Sequence, residues 1–189
     1  SKVYKSPKCS KVKTIDCGGK YLGPGIIDIG VKICEPGERH KESFKSAGKA
    51  AAAGGVTTMV TRPDTLPPVD SPEILSFMQQ RGLEDSIVNI LPMATLTKNR
   101  EGREMAEIGF LLDSGAVAFS DGDFVITDLK ILTRVMKYAK SLDALIIGHI
   151  QEPTLSNNAA VTSGKFASLK GLPAVSEMAE KIGLEILYI

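Results

Sequence analysis

Pro24-Gly25-Ile26-Ile27-Asp28-Ile29-Gly30-Val31-Lys32-Ile33-Cys34-Glu35-Pro36-Gly37 is a run of β-branched residues that breaks into a Gly/Pro loop. Such a pattern reads as a buried strand whose C-terminal end opens onto a turn. Similar runs start near Val56, Ile87, Ala116, Ala144 and Leu184. The first five are spaced by about 30 residues, enough for one strand and one returning helix per repeat, and the sixth follows after about 40. The runs Val56-Thr57-Thr58-Met59-Val60 and Ala144-Leu145-Ile146-Ile147 are nearly continuous in apolar or β-branched residues. Strands covered on both faces of a parallel sheet have this composition.

Helical patterns fill the intervals. Ser71 and Pro72 fit the cap and first position of a helix with Ile74, Phe77, Met78 and Arg81 on one face, and Gly82 fits its end. Thr127 fits the cap of a helix with an inner stripe of Leu129, Leu132, Met136 and Ala139. Val175, Met178, Ala179 and Ile182 form the last stripe, closed by Gly183. Asn157 to Leu172 is rich in small residues and weakly periodic, as lids and mobile loops are.

An open doubly wound sheet and a closed barrel both fit the alternation of strand and helix. The strand ends separate them. Lys32, Arg62 with Asp64, Thr95, Ser120 with Asp121, and His149 follow five successive runs. A barrel brings every strand end to one mouth, whereas a doubly wound sheet gathers ligands only at its switch point. The expectation is an α/β fold of the (β/α)8 TIM-barrel type, seen as six βα units over 24–189. Residues 1–23 would supply part of a small β-subdomain. A complete barrel takes about 250 residues, so the natural protein is expected to be longer.

Composition narrows the function. The chain has 189 residues, a net charge of +1, 43% hydrophobic residues and a mean hydropathy of +0.04. It suits a globular domain and offers no global field to nucleic acid or a membrane. Lys2, Lys5, Lys8, Lys11 and Lys13 crowd the N-terminus and read as a solvated arm. Cys9, Cys17 and Cys34 are odd in number and match no zinc-ribbon spacing, which suits reduced thiols and a cytoplasmic location. Neither a nucleophile elbow nor a phosphate-binding glycine loop occurs.

Two histidines exist, His40 and His149. His40 sits among charged residues at a helix start. His149 ends an apolar run, either as a satisfied structural histidine or as a ligand at the barrel mouth. Asp121, in Phe119-Ser120-Asp121-Gly122-Asp123, is either a turn residue or a carboxylate offered to a cation. These two alone are one ligand short of a catalytic zinc, which takes three protein ligands and an open position.

Several words of the sequence, in this order and spacing, resemble the dihydroorotase family of cyclic amidohydrolases. They are Leu22-Gly23-Pro24-Gly25-Ile26-Ile27-Asp28, Glu35-Pro36-Gly37-Glu38-Arg39-His40-Lys41-Glu42, Ala50 through Thr58, Arg62-Pro63-Asp64-Thr65-Leu66-Pro67, Phe119-Ser120-Asp121-Gly122 and Gly171-Leu172-Pro173-Ala174. The resemblance implies a barrel with zinc at its mouth and the reversible closure of carbamoyl aspartate to dihydroorotate in pyrimidine biosynthesis. It places a metal-binding His pair at Gly30 and Lys32, a substrate-binding Arg at Cys34 and a substrate-binding Asn at Asp64. Asp121 and His149 match a metal-bridging Asp and a metal-binding His. With the pair replaced, no stoichiometric zinc is expected, and Asp64 would repel an acidic substrate. Two functions follow from the resemblance: a dihydroorotase-type enzyme of impaired catalysis, or a non-catalytic barrel partnering aspartate transcarbamoylase. A homodimer is a further expectation. Lys32 is expected either to meet Asp121 where the metal would sit or to snorkel to solvent while Asp121 caps a turn.

Overall fold

A computed structural model describes residues 15–187. The expected N-terminal lysine arm and Cys9 lie outside them. Three parallel strands, β1 (Ile26–Val31), β2 (Val56–Thr61) and β3 (Asn89–Pro92), form a sheet in sequence order. Ile29 pairs with Val60, and Met59 with Ile90. The fourth and fifth runs continue the order through single parallel bridges, Ala94 to Phe119 and Phe119 to Ile146. The ladder persists there: Ser120 N donates to Ala94 O at 2.9 Å, and Ile147 N to Phe119 O at 2.9 Å. Each strand lies beside its predecessor with no reversal of order. That is the arc of a barrel, and a doubly wound sheet would show a switch point.

Helices α1 (Phe44–Ala53), α2 (Pro72–Asp85), α3 (Ile108–Asp113) and α4 (Leu129–Ser141) return the chain between strands. Ser43 caps α1 in a reciprocal box with Ser46. Asp128, and not Thr127, caps α4 by accepting from Lys130 N and Ile131 N. Gly82 lies within α2 and does not end it. The main core joins Phe44, Met59, Leu75, Met78, Ile108 and Phe119 between sheet and helices. A smaller cluster of Val60, Met93 and Ala118 lies on the other face of the sheet. Met59 therefore faces the helices and Val60 the barrel interior, and strand alternation carries Arg62 to the interior side as well.

Three expectations fail in instructive ways. The run at Leu184 is not a sixth strand, because helix α7 (Glu177–Leu187) continues through it. Gly183 does not stop that helix. It lets α7 approach the chain closely: a Cβ there would sit 3.0 Å from Gln151 N and 3.1 Å from the carbonyl carbon of Ile150. The stretch from Asn157 to Leu172 is organised, not a bare loop. After the short α5 (Pro153–Ser156), strand β4 (Val161–Thr162) pairs in parallel with β5 (Ala174–Val175) around α6 (Lys165–Lys170). On β1, Ile26, Ile27 and Ile29 are 57%, 61% and 62% exposed. Among the described residues β1 has β2 on one side and no strand on the other. Residues 15–23 form a turn and no strand, so the expected subdomain gains no element there.

Candidate functional site at the barrel mouth

The C-terminal ends of the strands bring Gly30, Lys32, Arg62, Asp64, Asp121, Asp123 and His149 to one end of the arc. The loop after β1 is anchored beneath them by Glu35, a buried carboxylate. Glu35 accepts from Phe44 N at 3.2 Å, at the start of α1, and its other oxygen lies 3.2 Å from Arg81 Nη2 of α2. The loop carrying Lys32 and Cys34 is thereby tied to two helices. Cys34 is half-buried, and its carbonyl accepts from Glu38 N at 2.7 Å.

Four charged side chains form a continuous network. Lys32 Nζ lies 2.8 Å from Asp64 Oδ2. Arg62 grips the same carboxylate with two donors, Nε to Oδ1 at 3.1 Å and Nη2 to Oδ2 at 2.9 Å. Its Nη2 also lies 2.9 Å from Asp123 Oδ2. The Asp64 side chain is 2% exposed, whereas Asp123 is 69% exposed. Burial pushes the Asp64 carboxyl up, but hydrogen bonds from Lys32 and Arg62 outweigh it and hold the group below the usual carboxylate range. The hydrogen bond from Arg62 likewise holds Asp123 low. Asp64 thus has its charge matched by two cations, which corrects the expectation that it would repel an acidic substrate.

Asp121 is engaged elsewhere. Its Oδ1 accepts from Leu96 N at 2.8 Å and Thr97 N at 3.1 Å, and its Oδ2 accepts from the Thr97 hydroxyl. It is buried, and burial pushes its pKa up against those hydrogen bonds and the charge of Arg100. The expected meeting of Lys32 with Asp121 therefore does not occur. The alternative, Lys32 reaching solvent while Asp121 caps a turn, holds only in that the Lys32 side chain is 51% exposed; its ammonium pairs with Asp64. The reason is where the carboxylates point. The backbone at Gly122, next to Asp121, comes close to Asp64, but the Asp121 oxygens are turned to Leu96 N, Thr97 N and the Thr97 hydroxyl.

His149 is exposed. It borders a mouth cavity of about 160 Å³ with Gly30, Arg62, Gly122, Asp123 and Ile147. Asp121 and His149 both line a second, mainly apolar cavity of about 140 Å³ beside α4 and α7. Among the described residues no group of three or more His, Cys, Asp or Glu side chains is placed to hold a metal ion. The donor set explains this. Position 30 offers no side chain, Lys32 is an ammonium bound to Asp64, and the oxygens of Asp121 face the Leu96–Thr97 backbone. A zinc site of three ligands and an open position does not fit these residues.

Sequence reasoning gave no role to Arg62, Arg100, Asp123 or Glu35. Arg62 and Asp123 were visible as charges at strand ends. Arg100 sits in a turn where Asn99 and Arg100 both have positive φ, and nothing in the local sequence announces its contact with Asp121 O at 3.0 Å.

Residues 19–188 match the family described as Dihydro-orotase-like. The chain belongs to that family. It is 38% identical over 168 residues to a dihydroorotase of Sulfurihydrogenibium sp. (strain YO3AOP1), covering 89% of this chain and 40% of that protein. It is 36% identical over 182 residues to a dihydroorotase of Caldanaerobacter subterraneus subsp. tengcongensis, covering 96% of this chain and 42% of the relative. The chain spans about two fifths of the length of the curated relatives it matches. Among solved structures it is similar to an L-hydantoinase (dihydropyrimidinase) from Arthrobacter aurescens, with a TM-score of 0.74 at 21% identity over 94% of this chain and 42% of that one. It is also similar to a dihydroorotase from Saccharomyces cerevisiae in complex with 5-fluoroorotic acid, with a TM-score of 0.60 at 14% identity over 87% of this chain and 43% of that one. These likenesses identify the parallel arc as part of a TIM barrel. The dihydroorotase family is zinc-dependent.

Proposed function

We propose that the chain forms part of a dihydroorotase-like amidohydrolase barrel of pyrimidine biosynthesis whose own ring hydrolysis is impaired. Family membership supports the setting. The observation that carries the impairment is the network Lys32–Asp64–Arg62–Asp123, which fills the strand ends where the family resemblance places metal and substrate ligands. Lys32 stands there in place of one histidine and Gly30 in place of the other. The ammonium and the neighbouring Arg62 guanidinium can hold an anion, but they cannot activate a water as a zinc ion does. Cys34 and Asp64, at substrate-binding positions, lack the paired donors that Arg and Asn would offer.

A second reading has specific support. The ion-paired mouth suits a barrel kept for contact and not for turnover. Such a barrel would serve as a structural partner, aspartate transcarbamoylase being the partner that the pathway suggests, or would pair with a second copy. Residues 1–23 would join the small β-subdomain and 24–189 the barrel, in the cytoplasm. No helix among the described residues is long and apolar enough to cross a membrane.

The test is turnover in both directions, with carbamoyl aspartate and with dihydroorotate, on protein of known zinc content. The expected result is no conversion above the uncatalysed rate. Robust turnover abolished by a chelator would overturn the reading. The combined changes Gly30→His, Lys32→His, Cys34→Arg and Asp64→Asn should bring back zinc binding if position and residue type are the only obstacles.

A further inference from the structure

The two carboxylates on Arg62 differ in kind. Asp64 is buried and held by three contacts from two cations. Asp123 is 69% exposed and, among the described contacts, is held by Arg62 Nη2 alone. It stands one residue after Gly122, whose φ is +66°. A Cβ at Gly122 would lie 2.9 Å from Arg62 Nη2 and 3.2 Å from Arg100 Nη2. A side chain there would push both guanidinium groups aside, and the positive φ itself favours glycine. Two cations, Lys32 and Arg62, thus face two carboxylates, while Arg100 stands beside Asp121. The charges of the first four balance while Asp123 is in place, and one positive charge is left over when it swings away.

We infer that the mouth is a binding site for the carboxylate of a small molecule, and that Asp123 is its displaceable internal occupant. The inference rests on the reading that no metal occupies this mouth. The seat beside Arg62 Nη2 is already shaped around a carboxylate oxygen at 2.9 Å, so an incoming carboxylate reproduces a contact the fold has built. Exchange of one carboxylate for another leaves the local charge unchanged, which keeps the desolvation cost of the swap small. Asp123 loses little by leaving, because an exposed ion pair contributes little. The adjoining cavity of about 160 Å³, with His149 on its wall, admits a small molecule and not a peptide segment. The site uses Arg62, Lys32 and the loop at Gly122, not the positions 34 and 64 at which the resemblance places substrate ligands.

The test is a titration of the full-length protein with ¹³C-labelled acetate, followed by line broadening of the ligand, in chelator-washed protein whose zinc content has been measured. Asp123→Asn removes the internal competitor and should tighten acetate binding by about tenfold. Arg62→Met, made together with Asp64→Asn so that no buried carboxylate is stranded, should abolish it. A Lys32→Gln variant should weaken binding without abolishing it. Acetate bound no more tightly by Asp123→Asn than by the parent would overturn the latch. Binding that survives the loss of Arg62 would overturn the site. Inorganic phosphate broadened or bound more strongly than acetate would overturn the carboxylate assignment. Stoichiometric zinc would overturn the metal-free reading of the mouth, whatever acetate does, so the two failures are distinguishable.

Discussion

At the residue scale, Asp64 and Asp121 are two buried carboxylates with opposite electrostatics. Asp64 is satisfied by cations, and its pKa is held low. Asp121 is satisfied by two amides and a hydroxyl, and burial holds its pKa high. The signs of their pH dependence therefore differ. A depressed carboxyl contributes stability that is present above its ordinary value and is lost as pH falls through the folded-state value. Asp64→Asn should accordingly flatten the loss of stability below about pH 4. A raised carboxyl contributes stability that is present below its ordinary value and is lost as pH rises through the folded-state value. Asp121→Asn should then gain on the parent as pH is taken from 4 to 7, measured by urea unfolding at each pH. Asp121→Ala removes an acceptor from Leu96 N, Thr97 N and the Thr97 hydroxyl together, and should cost about 3 kcal/mol at pH 4 and less at pH 7. Arg62→Met should cost about 3 kcal/mol because it strips a buried carboxylate of its bidentate partner. Lys32→Met should cost about 1 kcal/mol, since half of the lysine side chain faces solvent. The sequence left Lys32 either against Asp121 or in solvent, with no reason to pair it with Asp64. That pairing depends on where the loop carboxylates and amides point, which no local pattern carries.

At the scale of elements, β-branched runs of five or six residues were readable as strands, and Val56–Thr61 matches its run residue for residue at the start. The fourth and fifth runs were readable as positions in the sheet, but they keep only single bridges. Periodicity misled at the end of the chain. Leu184 and Ile186 alternate with Glu185 and follow a glycine, which looks like the start of a strand, yet α7 runs through them. The glycine is there for close approach to Ile150 and Gln151, a tertiary reason that no local pattern carries. Gly183→Ala tests this. Alanine gains about 1 kcal/mol of helix propensity, but its methyl would press on backbone atoms that cannot swing aside. The net change should be a loss of about 1–2 kcal/mol, seen as a lower melting temperature together with loss of α7 amide protection. A stabilised variant would mean that α7 does not pack there as described. Asp128 replaced Thr127 as cap for a simple reason: the two are adjacent, both residue types cap well, and only the turn geometry decides.

At the scale of the molecule, the strand-end polarity read from the sequence was the property that separated barrel from open sheet, and the sequential parallel order agrees with it. What sequence could not supply was the identity of the mouth's new occupants. Such a network emerges only when several strand ends are set side by side. Arg62 is the clearest case. It is unremarkable in sequence, yet it joins a buried aspartate on its own strand end to an exposed one on the fourth. The central claim is that this ion-pair network stands where the family's metal chemistry would be. Elemental analysis of zinc per chain, on protein purified with zinc present and then dialysed against metal-free buffer, tests it most directly. The account predicts far less than one zinc ion per chain; one or two retained ions bound at the mouth would contradict it.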